Sequence, residues 1–158
     1  MAETLSVEIC TIVQVEGWPE TQAAFEAELS RQLGAALPAA FGEALPVGGW
    51  LAVRLAPRRF WLIAEGRSKP NWSIDPALGC SVSLGEGRMR LKLSGQHTFD
   101  VLGACVAIDW DSPQAKPGSA LQTGFHHVPV LLLRTGTEAC DIFAPRSFAQ
   151  SLIDWLRI

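Results

Sequence analysis

The sequence has no Cys-x-x-Cys pair, no complete glycine-rich phosphate fingerprint, no Gly-x-Ser-x-Gly elbow and no apolar run long enough to span a membrane. Each absence removes a class of function. Cys10, Cys80, Cys105 and Cys140 lie far apart, which signals neither a zinc site nor a dithiol redox motif; four buried thiols are expected instead. The opening "MAETLSVEIC" lacks the basic start and apolar run of a secretory signal, so the cytoplasm is the expected compartment. Charge is scarce too. Charged residues make up 18% of the chain, against about a quarter in a typical soluble domain, and part of the surface is therefore expected to be covered. The net charge of −3, with Lys and Arg scattered, gives no footprint for nucleic acid.

What is present is a well-patterned domain. At 158 residues the chain can bury a sizeable core without a metal or disulfide, as a single domain over 1–158 or as two lobes, about 1–66 and 78–158, sharing that core. The stretch "LSVEICTIVQV" alternates as a strand, and "WPETQAAFEAELSRQLG" follows as a helix, Pro19 near its start and Gly34 just past its end. Phe25, Leu29 and Leu33 form its inner stripe. Two strands around "APRR" at about 50–65 complete a β-α-β-β unit. The order then repeats. "CSVSLGEGRMRLKLSG" reads as a hairpin turning at Gly85 and Gly87, "QHTFDVLGAC" as a short helix, and residues at about 129–143 as another hairpin. The expected class is α+β, two split β-α-β units with a C-terminal helix, and the shared order hints at internal duplication. In the closing "APRSFAQSLIDWLRI", Pro145 fits the first turn, Ser147 serves as a cap, and Phe148, Leu152, Trp155 and Leu156 recur at helical spacing.

Chemistry is harder to find. "GEGRMR" has two of the three glycines of a dinucleotide turn but leads into a strand, so a hairpin is the better reading. His126 and His127 are adjacent; on a strand their rings point to opposite faces and cannot share a metal. Arg58 and Arg59 beside Phe60 and Trp61 could clamp an acid or stack on a flat ligand, or simply form a solvated turn. No catalytic, cofactor-binding or metal-binding residue emerges, which favours a binding or scaffolding role.

Taken in order, "LAVRLAPRRFWLIAEG", "CSVSLGEGRMRLKLSG", "HVPVLLLRTG" and "DIFAPRSFAQSLIDWL" resemble the gamma subunit of heterotetrameric sarcosine oxidase, from about Trp50 to Trp155. The Pro145-Arg146-Ser147-Phe148-Ala149 run with Trp155 is the most specific piece. The resemblance implies a noncatalytic structural subunit without a cofactor of its own, in a complex that oxidatively demethylates sarcosine or a related N-methyl amino acid. It implies alpha, beta and delta partner subunits carrying FAD, FMN, NAD, folate and zinc, no nucleic-acid or membrane partner, and a homo-oligomer as one state of the isolated chain. The fold it implies is that of the folate-binding domain of glycine-cleavage aminomethyltransferase. Where that enzyme reads Asp-Val-Ser-His-Met-Gly, this chain has Ser81-Val82-Ser83-Leu84-Gly85, and its catalytic Asp falls near Val128 and Pro129. Both the acid and the histidine are lost. The chain is also shorter than this family leads one to expect, mostly in its N-terminal half. The alternative reading is a stand-alone folate-binding or aminomethyltransferase-like protein.

Overall fold

The computed structural model describes residues 3–157. Its elements follow the order β1 (Thr4–Glu8), β2 (Cys10–Gly17), α1 (Gln22–Leu33), β3 (Ala44–Val47), β4 (Trp50–Ala56), β5 (Arg59–Glu65), β6 (Gly79–Ser83), β7 (Arg88–Ser94), α2 (Thr98–Gly103), β8 (Ala120–Phe125), β9 (Val128–Gly136), β10 (Ala139–Pro145) and α3 (Ala149–Leu156). The strands form two five-stranded sheets, ordered β3-β4-β5-β2-β6 and β1-β7-β10-β9-β8, in which every pairing is antiparallel. The fold is α+β, as the sequence predicts.

The chain divides into two compact units: residues 10–85, and residues 3–9 together with 86–157. In the first, Pro19 opens a 3-10 turn that leads into α1. Gly34, at φ 75°, closes α1 by donating its N–H to Ser30 O at 2.8 Å; a residue with a Cβ pays a steric penalty in that left-handed conformation. Phe25, Leu29 and Leu33 are buried in one cluster with Val13, Val15, Phe60 and Leu62 of the sheet. In the second unit, Leu91, Leu93, Leu132 and Ile142 supply the sheet's contribution to a cluster completed by Leu102 of α2 and by Leu152, Ile153 and Leu156 of α3.

The two halves of the sequence are repeats of one plan. Strand-strand-helix-strand-strand-strand describes β1 to β5 around α1 and again β6 to β10 around α2. The sheets match position for position, β3-β4-β5-β2 with β8-β9-β10-β7, and the fifth place is taken by exchange. Strand β6 pairs with β2, and β1 pairs with β7. The compact units are therefore bounded by the exchanged strands and not by the ends of the repeats.

One arginine in each repeat fixes the loop before its closing hairpin. Arg54 of β4 donates to Pro38 O at 3.0 Å, to Pro57 O at 2.6 Å and to Glu26 Oε1 at 2.9 Å, and stacks over Phe60 at 4.8 Å. Arg134 of β9 donates to Trp110 O and Ala115 O, each at 2.9 Å, and to Thr137 O at 3.3 Å, and stacks over Phe99 at 4.2 Å. A rigid planar fork with several donors suits this task, since one side chain satisfies several loop carbonyls together.

Four local expectations are corrected. The strand expected over 5–15 is two strands in different sheets, broken at Ile9. The hairpin expected at 80–95 does not form: β6 and β7 belong to different sheets, and Gly85 and Gly87 make a 3-10 turn without the positive φ that a tight two-residue hairpin requires. Ser147 makes no capping bond, and Pro145 ends β10 instead of opening α3. Phe148 is 42% exposed, so the buried stripe of α3 is Ala149, Leu152, Ile153 and Leu156, with Trp155 half-buried.

Truncation after Ala144 removes Leu152, Ile153 and Leu156, each contributing about 1.5–3 kcal/mol when fully buried, a sum approaching the whole stability of an ordinary domain, about 5–15 kcal/mol. The truncated chain should lose the cooperative melt of its second unit by circular dichroism. Phe148→Ala should shift that melt little, and a near-normal melt after truncation would show that α3 is dispensable.

Candidate functional site

The most strongly placed charges in the chain are spent on each other. Arg90 of β7 and Asp141 of β10 lie on neighbouring strands, where Arg90 is opposite Phe143. Its Nε and Nη2 both donate to Asp141 Oδ2, at 2.9 and 2.6 Å, and the two residues are 6% and 3% exposed. The guanidinium also lies 5.5 Å from the Phe143 ring centre. Burying two charges is costly unless each neutralises the other, so the pair acts as a register pin between β7 and β10. Sequence reasoning passed over it. Half of the signal was there: Asp141 is the one charge inside the apolar run "ACDIFA", whereas Arg90 alternates with Arg88 and Lys92 in "RMRLKL" and does not stand out.

The thiols differ from expectation. Cys10 and Cys140 are buried, Cys105 is half-buried, and Cys80 is exposed because β6 is an edge strand. Burial, reinforced by the neighbouring Asp141 carboxylate, pushes the Cys140 thiol up to about 12; burial also raises Cys105. Cys140 is thus a neutral thiol at physiological pH and a poor nucleophile.

The histidines sit on a turn, not a strand. His126 and His127 are the two central residues of the β8–β9 hairpin, closed by the Phe125–Val128 pair, and His126 has φ 51°. Both are exposed. Their rings do not point to opposite faces; both approach Trp155 of α3, at 4.7 and 6.4 Å between ring centres. Arg58 and Arg59 form the solvated-turn alternative: Arg59 Nε lies 3.2 Å from Glu16 Oε2, while Phe60 and Trp61 are buried.

The positions matched to the aminomethyltransferase residues carry neither a carboxylate nor an imidazole. Ser81 and Ser83 are exposed on β6, and Leu84 donates its N–H to Ile12 O. Val128 is buried at the start of β9, and Pro129 beside it is exposed. A groove of about 750 Å³ runs between α1 and residues 73–78. Gln32 bridges it, donating to Ser73 O and accepting from Ser73 N–H, both at 2.9 Å. Two of its charges pair with each other: Arg31 hydrogen-bonds Glu28, holding that carboxyl below its ordinary range while Glu28 raises Arg31. Among the described residues no group of three or more His, Cys, Asp or Glu is placed to hold a metal, and no helix is long and apolar enough to cross a membrane.

No family model matches the chain. It is 32% identical over 135 residues to the sarcosine oxidase subunit gamma of Corynebacterium sp. (strain U-96), a match covering 82% of this chain and 66% of that protein. The chain thus spans just under two-thirds of that relative's length. Among solved structures it is similar to a chain of heterotetrameric sarcosine oxidase from Corynebacterium sp. U-96 in complex with pyrrole 2-carboxylate. That match has a TM-score of 0.80 at 26% identity and covers 98% of this chain and 81% of that one. The aminomethyltransferase T of the glycine cleavage system from Bartonella henselae is similar in fold alone, with a TM-score of 0.66 at 17% identity over 96% of this chain and 45% of that one.

The Cys140 shift has a sign. Its folded pKa lies above the unfolded value near 9, so its contribution is fully present below about pH 9 and is lost as pH rises from there towards 12, by about 1.4 kcal/mol per unit. Chemical denaturation between pH 8 and 11 should show this slope in the wild type and a shallower one in Cys140→Ala. Equal slopes would remove Cys140 as the cause.

Proposed function

The chain belongs to the sarcosine oxidase gamma-subunit family, and from that membership we propose that it is a noncatalytic structural subunit of a sarcosine-oxidase-like flavoenzyme complex. The complex oxidatively demethylates sarcosine or a related N-methyl amino acid in the cytoplasm, with alpha, beta and delta subunits as partners and with FAD, FMN, NAD, folate and zinc held by those partners. The observation that carries the reading is the likeness, along nearly the whole chain, to a chain of a heterotetrameric sarcosine oxidase. Two features of the site support a structural role. Ser81, Leu84, Val128 and Pro129 stand where the aminomethyltransferase fold carries acids and a histidine, and none of them can ionise in the range where an amine is protonated or released. The buried charges Arg90 and Asp141 are hydrogen-bonded to each other.

The second reading, a stand-alone folate-binding protein, draws on the fold it shares with aminomethyltransferase T. The residues at the matching positions, two serines, a leucine, a valine and a proline, provide hydroxyls but neither a carboxylate nor an imidazole for such a ligand.

The purified chain should be colourless and should not oxidise sarcosine alone, while co-expression with the alpha, beta and delta subunits of a sarcosine oxidase should yield one complex on gel filtration. A flavin band that stays with the isolated chain, or sarcosine turnover by it, would count against the structural role. Calorimetric titration with tetrahydrofolate should give no saturable heat at micromolar concentration; a saturable signal would move the assignment to the second reading.

A further inference from the structure

Each sheet has two edge strands, and two of the four are guarded against pairing with another chain. Strand β3 carries Pro46, which has no N–H to offer, and β1 carries Glu8. Strands β6 and β8 carry neither proline nor charge. Of the four, β6 alone is exposed at four successive positions, Cys80 to Ser83, so both of its faces and its free edge meet solvent.

The main chain of β6 faces two ways in strict order. Leu84 N donates to Ile12 O at 2.8 Å and Trp18 N donates to Leu78 O at 3.0 Å, so the even-numbered residues from 78 to 84 turn their N–H and C=O groups towards β2. The odd-numbered residues turn theirs away. Gly79 N is taken by Asp75 O at 3.1 Å. Ser81 and Ser83 each present an N–H and a C=O to the free edge, and none of these four groups has a partner among the described residues.

Donors and acceptors that alternate at strand spacing call for an extended chain as their partner. A second copy of β6 supplies one that fits. With two copies antiparallel about a two-fold axis at Val82, Ser81 of each exchanges both bonds with Ser83 of the other, and all the free groups are used in four hydrogen bonds. Moving the axis to Ser81 turns the Ser83 C=O towards a Gly79 N–H that is already bonded. The side chains agree with the Val82 axis. Residues 76–85 contain no charge, so no like charges meet across it. Val82 is 51% exposed, and the axis sets it against its own counterpart at the close, non-hydrogen-bonded spacing.

We propose that β6 is a self-association edge: two copies of this chain pair antiparallel through residues 80–84 about a two-fold axis at Val82, joining two five-stranded sheets into one of ten strands. The proposal stands apart from the subunit reading and concerns the chain when it is isolated.

Four hydrogen bonds and one valine pair make a small interface, so the weight-average mass in sedimentation equilibrium should rise from one chain towards two between about 1 and 500 µM. S83P removes a free-edge N–H and leaves the bonds to β2 in place, while V82K sets like charges opposite each other. Each should weaken association at least tenfold, with melting curves near that of the wild type. Should S83P melt early, V82K, which changes only an exposed side chain, decides the matter. The register has its own test. The two Val82 Cα atoms should lie about 4.5 Å apart, within reach of a disulfide, so C80S/V82C should become a covalent dimer under oxidised glutathione and C80S should not. Native Cys80 should not cross-link, since this register holds its two copies roughly 14 Å apart. A wild type that stays monomeric at the highest concentration, a dimer that S83P and V82K leave intact, or a wild-type dimer linked through Cys80 would each overturn the proposal, and none of the three bears on the subunit reading, which co-expression tests.

Discussion

Neither repeat of this chain can finish its own sheet. The strand that should lie beside β2 comes from the second repeat as β6, and the strand that should lie beside β7 comes from the first repeat as β1. Everything else is arranged around that exchange. A five-residue strand contributes little by itself, so β1 is tied at several points: Glu8 lies 3.3 Å from Lys92 Nζ, and the Glu3 carboxylate accepts from His97 N–H and from Thr98 Oγ1 at the start of α2. Leu5 packs on the core of the second unit from the edge of its sheet. Because β1 and β7 are separated by about half of the chain, this pairing carries a large loop-closure cost and belongs among the slow steps of folding.

Within each repeat the arginine on the first strand of the closing hairpin takes over work that elsewhere falls to water. Arg54 and Arg134 each hold a loop by its carbonyls, lie over a phenylalanine, and bond three residues ahead to the turn of their own hairpin. That correspondence is better evidence of duplication than any residue identity between the halves. It also separates what the fold requires from what it tolerates. Glycine recurs at 42 and 118 because the left-handed backbone there demands it, while Phe41 and Pro117 differ because the backbone accepts either.

Much of the architecture was legible because its signals are local. Pro19 and Gly34 bracket α1, the 50–65 and 129–143 hairpins announce themselves by alternation around short turns, and Phe25, Leu29 and Leu33 recur at helical spacing. Partner choice was not local. The run from Leu5 to Val15 alternates almost without interruption, and nothing in its composition says that Ile9 divides strands bound for different sheets. Gly85 and Gly87 look like a hairpin turn for the same reason: two apolar runs flank them, and only tertiary pairing shows that those runs do not meet. Cys80 was expected inside because thiols usually are, but an edge strand leaves it in solvent. The histidines were placed on a strand by their apolar flanks, whereas the two-residue hairpin puts both beside Trp155. The Arg90–Asp141 pin escaped notice because its members are 51 residues apart and each alone reads as an exposed strand residue.

The strand exchange acquires another meaning during synthesis. Residues 10–85 form a contiguous unit whose last strand, β6, is also its last element, so this unit can close as soon as β6 has left the ribosome. Strand β1 emerges before any of it and must wait for β7. At about 5–20 residues per second the interval is roughly 4–17 s, during which Leu5 and Val7 have no sheet to join. The earliest strand to appear is thus left without a partner until the whole first compact unit has been made, and the nascent protein carries β1 unpaired through about half of its own translation.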